Sequence, residues 1–125
     1  MPRSVIRKQS FGSVKVFWLD RSLLKSRIRQ AAGNLSRQHE EVVQIVLFGS
    51  VASGRAVPSS DADILVVVRD SETPLLDRAA LYRDYFTDIG VGVDLFVYTR
   101  AEISEGRVPM AATALRTGIE LYRAA

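Results

Sequence analysis

A chain of 125 residues, 47% hydrophobic and 25% charged, has the make-up of an ordinary globular domain and is too short for two of them. The absence of cysteine excludes disulfide staples, thiolate metal sites and a cysteine nucleophile, and makes a reducing, cytoplasmic setting the expectation. The formal charge is only +3, with most of the imbalance in Arg3, Arg7, Lys8, Lys15, Arg21, Lys25, Arg27, Arg29 and Arg37; a solvated helix face and a basic tail explain this more readily than nucleic-acid binding does.

In chain order, residues 1–12 lack an apolar period and read as a basic tail, with the folded domain expected over residues 13–125. Val14–Leu19 is rich in β-formers and reads as a strand, whose Trp18 and Phe17, with Phe11, are assigned to the core rather than to a stacking platform. Asp20 or Ser22 can cap a helix with Leu23, Leu24, Ile28, Ala31, Ala32 and Leu35 on one face. Val42–Phe48 has the near-continuous apolar pattern of a strand covered on both faces, and a second such strand runs from about Asp61 to Arg69. Thr73-Pro74 opens a predicted helix reaching Phe86, Val91–Tyr98 is a third strand, and a last helix is predicted from about Pro109 to Tyr122. The alternation implies an α/β layer fold. The longest apolar runs fall far short of the roughly 20 residues that cross a bilayer, so no membrane association and no signal peptide are expected.

The chemistry concentrates after the first buried strand, at Phe48-Gly49-Ser50-Val51-Ala52-Ser53-Gly54, followed by Ser60-Asp61-Ala62-Asp63. Gly49 lets the backbone approach a ligand, and a helix beginning there would aim N–H groups at an anion such as a nucleotide phosphate. Asp61 and Asp63, two apart on a strand, point to one face. Such a pair repels without a partner, which suggests a cation, and oxygen ligands alone favour Mg2+ or Mn2+; taken alone, the pair reads equally well as two solvated carboxylates at the strand entrance. Asp94 lies inside the third apolar strand, where an ionised group is costly without a partner or a metal. If that strand flanks the Asp61–Asp63 strand, three carboxylates meet as two-metal phosphoryl transfer requires. His39, the single histidine, sits in a polar segment and reads as a surface residue. Nothing in the sequence selects one of Tyr82, Tyr85, Tyr98 and Tyr122 as a nucleotide acceptor.

Over about residues 43–98 this set resembles the motifs of the DNA polymerase beta-like nucleotidyltransferase superfamily, especially its minimal nucleotidyltransferase branch. The resemblance implies a small mixed sheet flanked by helices, with Gly49, Ser50 and Ser60 binding the nucleotide. It implies that Asp61 and Asp63 hold Mg2+ or Mn2+, while Asp94 completes the metal site and positions or deprotonates an acceptor hydroxyl. The implied reaction moves a nucleoside monophosphate, AMP from ATP, onto a hydroxyl with release of pyrophosphate. The implied acceptor is a HEPN-domain toxin for which this chain is the antitoxin. The alternatives are an antitoxin that neutralises by binding alone, and a homo-oligomeric enzyme modifying small molecules of the antibiotic kind. One departure stands out: Ser53 occupies a position where the family often has arginine, with Arg55 near enough to substitute.

Overall fold

The computed structural model describes residues 4–125. The chain opens with β1 (Ile6–Phe11) and β2 (Val14–Leu19), an antiparallel hairpin turning through Gly12, whose φ of 61° is left-handed. Half of the expected tail is therefore a strand. Its polar residues hid it, because a strand pairing only with its neighbour needs no apolar face of its own. Arg3 lies outside the described residues. The core assignment of the hairpin aromatics is also corrected: Phe11, Phe17 and Trp18 are 58%, 54% and 44% exposed. Only the base of the hairpin, Val5, Ile6 and Leu19, joins the core.

Helix α1 (Arg21–Gln38) starts where Asp20 accepts a hydrogen bond from the Leu23 amide at 3.1 Å, and it buries Leu24, Ile28, Ala31, Ala32 and Leu35. Strand β3 (Val42–Phe48) leads into the one-turn helix α2 (Gly49–Ser53), and a loop returns to β4 (Ala62–Val68). Where the sequence predicts one helix from residue 73 to 86, the chain forms three 3₁₀ turns, Leu75–Asp77, Ala79–Leu81 and Arg83–Phe86. Arg78 accounts for much of this irregularity. Its buried guanidinium donates to the Thr73 carbonyl at 2.9 Å and to Glu102 at 2.6 Å, while Leu75, Leu76 and Leu81 are left exposed. Strand β5 (Val93–Thr99) follows, then α3 (Arg100–Ser104), α4 (Pro109–Thr117) and β6 (Ile119–Arg123).

The predicted last helix thus ends early and its final residues are a strand. Gly118 makes the reversal: a Cβ there would strike the Ala114 and Leu47 carbonyls and the Val46 side chain, all within 2.7 Å. Without one, the chain folds back and lays β6 along β3.

The main sheet has the order β5-β4-β3-β6. It is mixed, since β4 and β5 are parallel while β3 pairs antiparallel with β4 and with β6. The crossover through the 3₁₀ turns makes the parallel pairing possible. Alternate residues of β4 serve opposite faces. Ala62, Ile64, Val66 and Val68 pack with α1, whereas Leu65 and Val67 pack with Ala111 and Ala114 of α4. Among the described residues no helix is long and apolar enough to cross a membrane.

Candidate nucleotidyl-transfer site

The register of β4 against β5 brings the predicted carboxylates together. Asp63 and Asp94 are direct partners across the parallel pair, which sets their Cα atoms about 4.8 Å apart. By alternation both face the α4 side of the sheet, with Leu65 and Phe96. Asp61 precedes β4 beside Gly92, whose carbonyl accepts from the Ala62 amide at 2.9 Å. A Cβ at Gly92 would meet the Asp61 carboxylate at 2.5 Å, so this glycine gives the aspartate its room.

The turn after β3 closes the other side. Phe48 is the register partner of Asp63, and Gly49 follows with φ 76°. A Cβ on Gly49 would collide with the Asp63 carboxylate. The left-handed backbone and the close approach therefore both call for glycine at that position. The Ser50 carbonyl accepts from the Arg55 amide at 3.0 Å. The Ser60 hydroxyl accepts from the Val57 amide at 3.0 Å and the Ser60 amide donates to the Val57 carbonyl at 2.8 Å, closing the loop that delivers Asp61. Arg21 ties the same loop to α1 through the Ala56 carbonyl at 2.8 Å.

Charge at this end is unbalanced. Burial raises the proton affinity of Asp63 above the usual aspartate value, and the charges of Asp94 and then Asp61 raise it further. An all-oxygen set of acidic ligands with a surplus of negative charge suits a hard divalent cation. The three carboxylates do not already converge on one point, and among the described residues no group of three Asp, Glu, His or Cys side chains does. Side-chain rotation would be needed to enclose an ion.

Beside the turn lies an open cavity of about 450 Å³, walled by Phe48, Gly49, Ala52, Ser53 and Arg55 on one side and by Met110, Thr113 and Thr117 of α4 on the other. It borders the carboxylates at Gly49 without enclosing them. Arg55 Nε donates to Ser53 Oγ at 3.0 Å, so a guanidinium stands beside Ser53 at the cavity wall. The sequence reading missed the contribution of α4. Thr113 and Thr117 are four apart with Ala111 and Ala114 buried, a pattern that marks a close-packed helix but not which site its other flank borders. His39 sits next to the start of β3, at the end of that strand away from Gly49, in contact with Glu41, Tyr82 and Tyr85.

Residues 28–117 match the nucleotidyltransferase domain family. The chain belongs to that family. A candidate protein adenylyltransferase from Methanocaldococcus jannaschii is 40% identical over 45 residues, a match spanning 36% of this chain and 31% of that protein. A candidate nucleotidyltransferase from Sulfolobus solfataricus shares the fold with a TM-score of 0.59 at 21% identity, over 82% of this chain and 81% of that one. A toxin-antitoxin structure with AMP-PNP superposes with a TM-score of 0.60 at 22% identity, over 77% of this chain and 73% of that one. A mutant of the toxin-antitoxin MntA-HpeT, with two aspartates two positions apart changed to glutamate, superposes at 0.57 with 18% identity and the same coverages. The mixed α/β nucleotidyltransferase fold implied by the sequence motifs is the one observed.

Proposed function

We propose that this chain transfers AMP from ATP to a hydroxyl acceptor, with Asp61, Asp63 and Asp94 holding Mg2+ or Mn2+ and Gly49, Ser50 and Ser60 contacting the nucleotide. The observation that carries this reading is the register pairing of Asp63 with Asp94 against the Gly49 turn. In the step itself the acceptor oxygen attacks the α-phosphorus and the bond to the β-phosphate oxygen breaks. Pyrophosphate leaves, and the acceptor's proton passes to Asp94 or to water. Held by Asp61, Asp63 and Asp94, divalent cations would lower the acceptor's pKa and neutralise charge on the phosphates. The carboxylates fix the position of that charge, Gly49 keeps the floor of the site clear, and Arg55 offers a guanidinium to phosphate at the cavity wall. The preference for ATP draws support from the AMP-PNP bound in one structural neighbour, and the choice of a protein hydroxyl from the M. jannaschii relative.

The toxin-antitoxin neighbours support a toxin as the partner protein, and the family resemblance is what points to a HEPN-domain toxin as the acceptor. Ser53 favours a second reading, in which the chain neutralises its partner by covering it without turnover. Incubating purified protein with labelled ATP, Mg2+ and the candidate toxin tests both. Label on the toxin that disappears with Asp63→Asn is expected. Toxin neutralised without label by both proteins would refute the catalytic reading.

A further inference from the structure

The β1–β2 hairpin has two faces of different character. Register and alternation put Lys8, Ser10, Lys15 and Phe17 on one face, continuous at its base with the buried Leu19. The other face carries Arg7, Gln9, Phe11, Val14, Val16 and Trp18, in the cross-strand pairs Arg7–Trp18, Gln9–Val16 and Phe11–Val14. Its four apolar side chains are all exposed, Phe11 and Val14 at 58%, Trp18 at 44% and Val16 at 42%. Half-exposed aromatics and valines of this kind present roughly 300 Å² of contiguous apolar surface, at the lower end of the range in which the largest patch on a domain is often functional. A two-stranded ribbon with such a face in water is at best marginally stable on its own.

We propose that this outer face is the seat of a two-fold dimer of this chain, in which Trp18 of each copy packs on Phe11 and Val14 of the other. Charge decides the occupant. The single ionic group on the face, Arg7, is answered by Asp20 at 2.9 Å, so the strip is effectively neutral. A polyanion or an acidic protein would instead be drawn to the opposite face, where Lys8 and Lys15 flank Phe17. A neutral apolar strip can cover itself, as an isologous interface requires.

Shape agrees. The strip is bulky at its base, narrow at the Gln9–Val16 pair and bulky again at its tip, so an antiparallel two-fold through the narrow centre brings the base of each copy onto the tip of the other. The two Arg7 residues then lie at opposite ends, about 13 Å apart along the strand, beyond the screening length at physiological salt. The modest area places this among weak, concentration-dependent dimers.

The test is sedimentation of the full chain from low micromolar to about half-millimolar, together with the emission of Trp18, the single tryptophan. The mass is expected to approach that of a dimer as concentration rises, with a blue shift of the emission over the same range. Trp18→Glu and Val16→Lys should each stay monomeric while retaining the wild-type melting curve measured at dilution, and Phe17→Ser, on the opposite face, should dimerise like the wild type. A wild-type chain that stays monomeric throughout overturns the proposal in favour of another occupant. So does a dimer that survives Val16→Lys, which decides the matter if Trp18→Glu fails to fold, or one that Phe17→Ser abolishes.

Discussion

Two sets of carboxylates in this protein live in opposite electrostatic worlds. Glu102 caps α3 by accepting from the Thr99 amide at 2.8 Å and also pairs with the buried Arg78 at 2.6 Å. The hydrogen bond from Arg78 does most to hold its carboxyl below the usual glutamate range. Burial pushes Glu41 up, but hydrogen bonds from Tyr82 at 2.7 Å, from its own backbone amide and from His39 together bring it lower than usual. Asp63, by contrast, has burial and two further aspartates acting on it, all in the raising direction. Where a carboxylate serves the fold, the chain provides its donors. At Asp63 the chain provides more negative charge, an imbalance that a divalent cation held there, as proposed, would offset.

The largest effect separating the two sets should be on activity. Asp63→Asn should reduce nucleotide transfer by at least about 100-fold, since losing a direct ligand exceeds the cost of losing a ligand's support. Its melting temperature should not fall. A variant that loses transfer only because it unfolds would remove the distinction. Glu102→Ala should do the converse, leaving a buried guanidinium without its carboxylate and costing about 2–3 kcal/mol in denaturant unfolding, with transfer retained per folded molecule.

Gly49→Ala belongs to both sets. The left-handed backbone makes a side chain there cost about 1–2 kcal/mol, and its Cβ would displace the Asp63 carboxylate. Reduced stability together with a raised metal requirement for transfer is the expected result, and an unchanged metal titration would break the link between the turn and Asp63.

The smallest expected effect sharpens the contrast through pH. Glu102 and Glu41 titrate lower in the folded state than in the unfolded one, so their contribution is present above the unfolded value of 4.5 and is lost as pH falls through their folded values. Asp63 titrates above its unfolded value of 3.8, so its contribution runs the other way, present below that value and lost as pH rises through the folded one. Metal-free Asp63→Asn should therefore melt slightly above the wild type at pH 7, with the gap closing toward pH 3, while Glu102→Gln should melt below it at pH 7 and converge with it in acid. Thermal melts across that range read both signs.

The glycine turn and the carboxylates that lie beside it were more legible in the sequence than the frame that brings them together. Gly49-Ser50, the Asp61/Asp63 pair and an aspartate inside an apolar strand are local anomalies, each costing free energy unless a ligand compensates, and such costs are visible one residue at a time. Strands β3, β4 and β5 and helix α1 were likewise legible, because each buries its own face and writes that burial as periodicity. Strand β1 and strand β6 were not. The first is stabilised by pairing with β2 rather than by its own apolar face, and the second exists because Gly118 lets the chain fold back against β3.

The helix expected from residue 73 to 86 failed for a related reason. Arg78 takes its partners from Thr73 and from Glu102, 24 residues away, and the burial this imposes does not follow a helical stripe. By itself the sequence determined which residues carry unusual chemistry and which segments form the body of the sheet. Only the tertiary structure decided that β5 lies parallel to β4 in a register that sets Asp94 opposite Asp63, and that Trp18 faces outward. Pairing and register depend on the free energy of contacts between segments far apart in the chain, and no local pattern of polarity encodes that quantity.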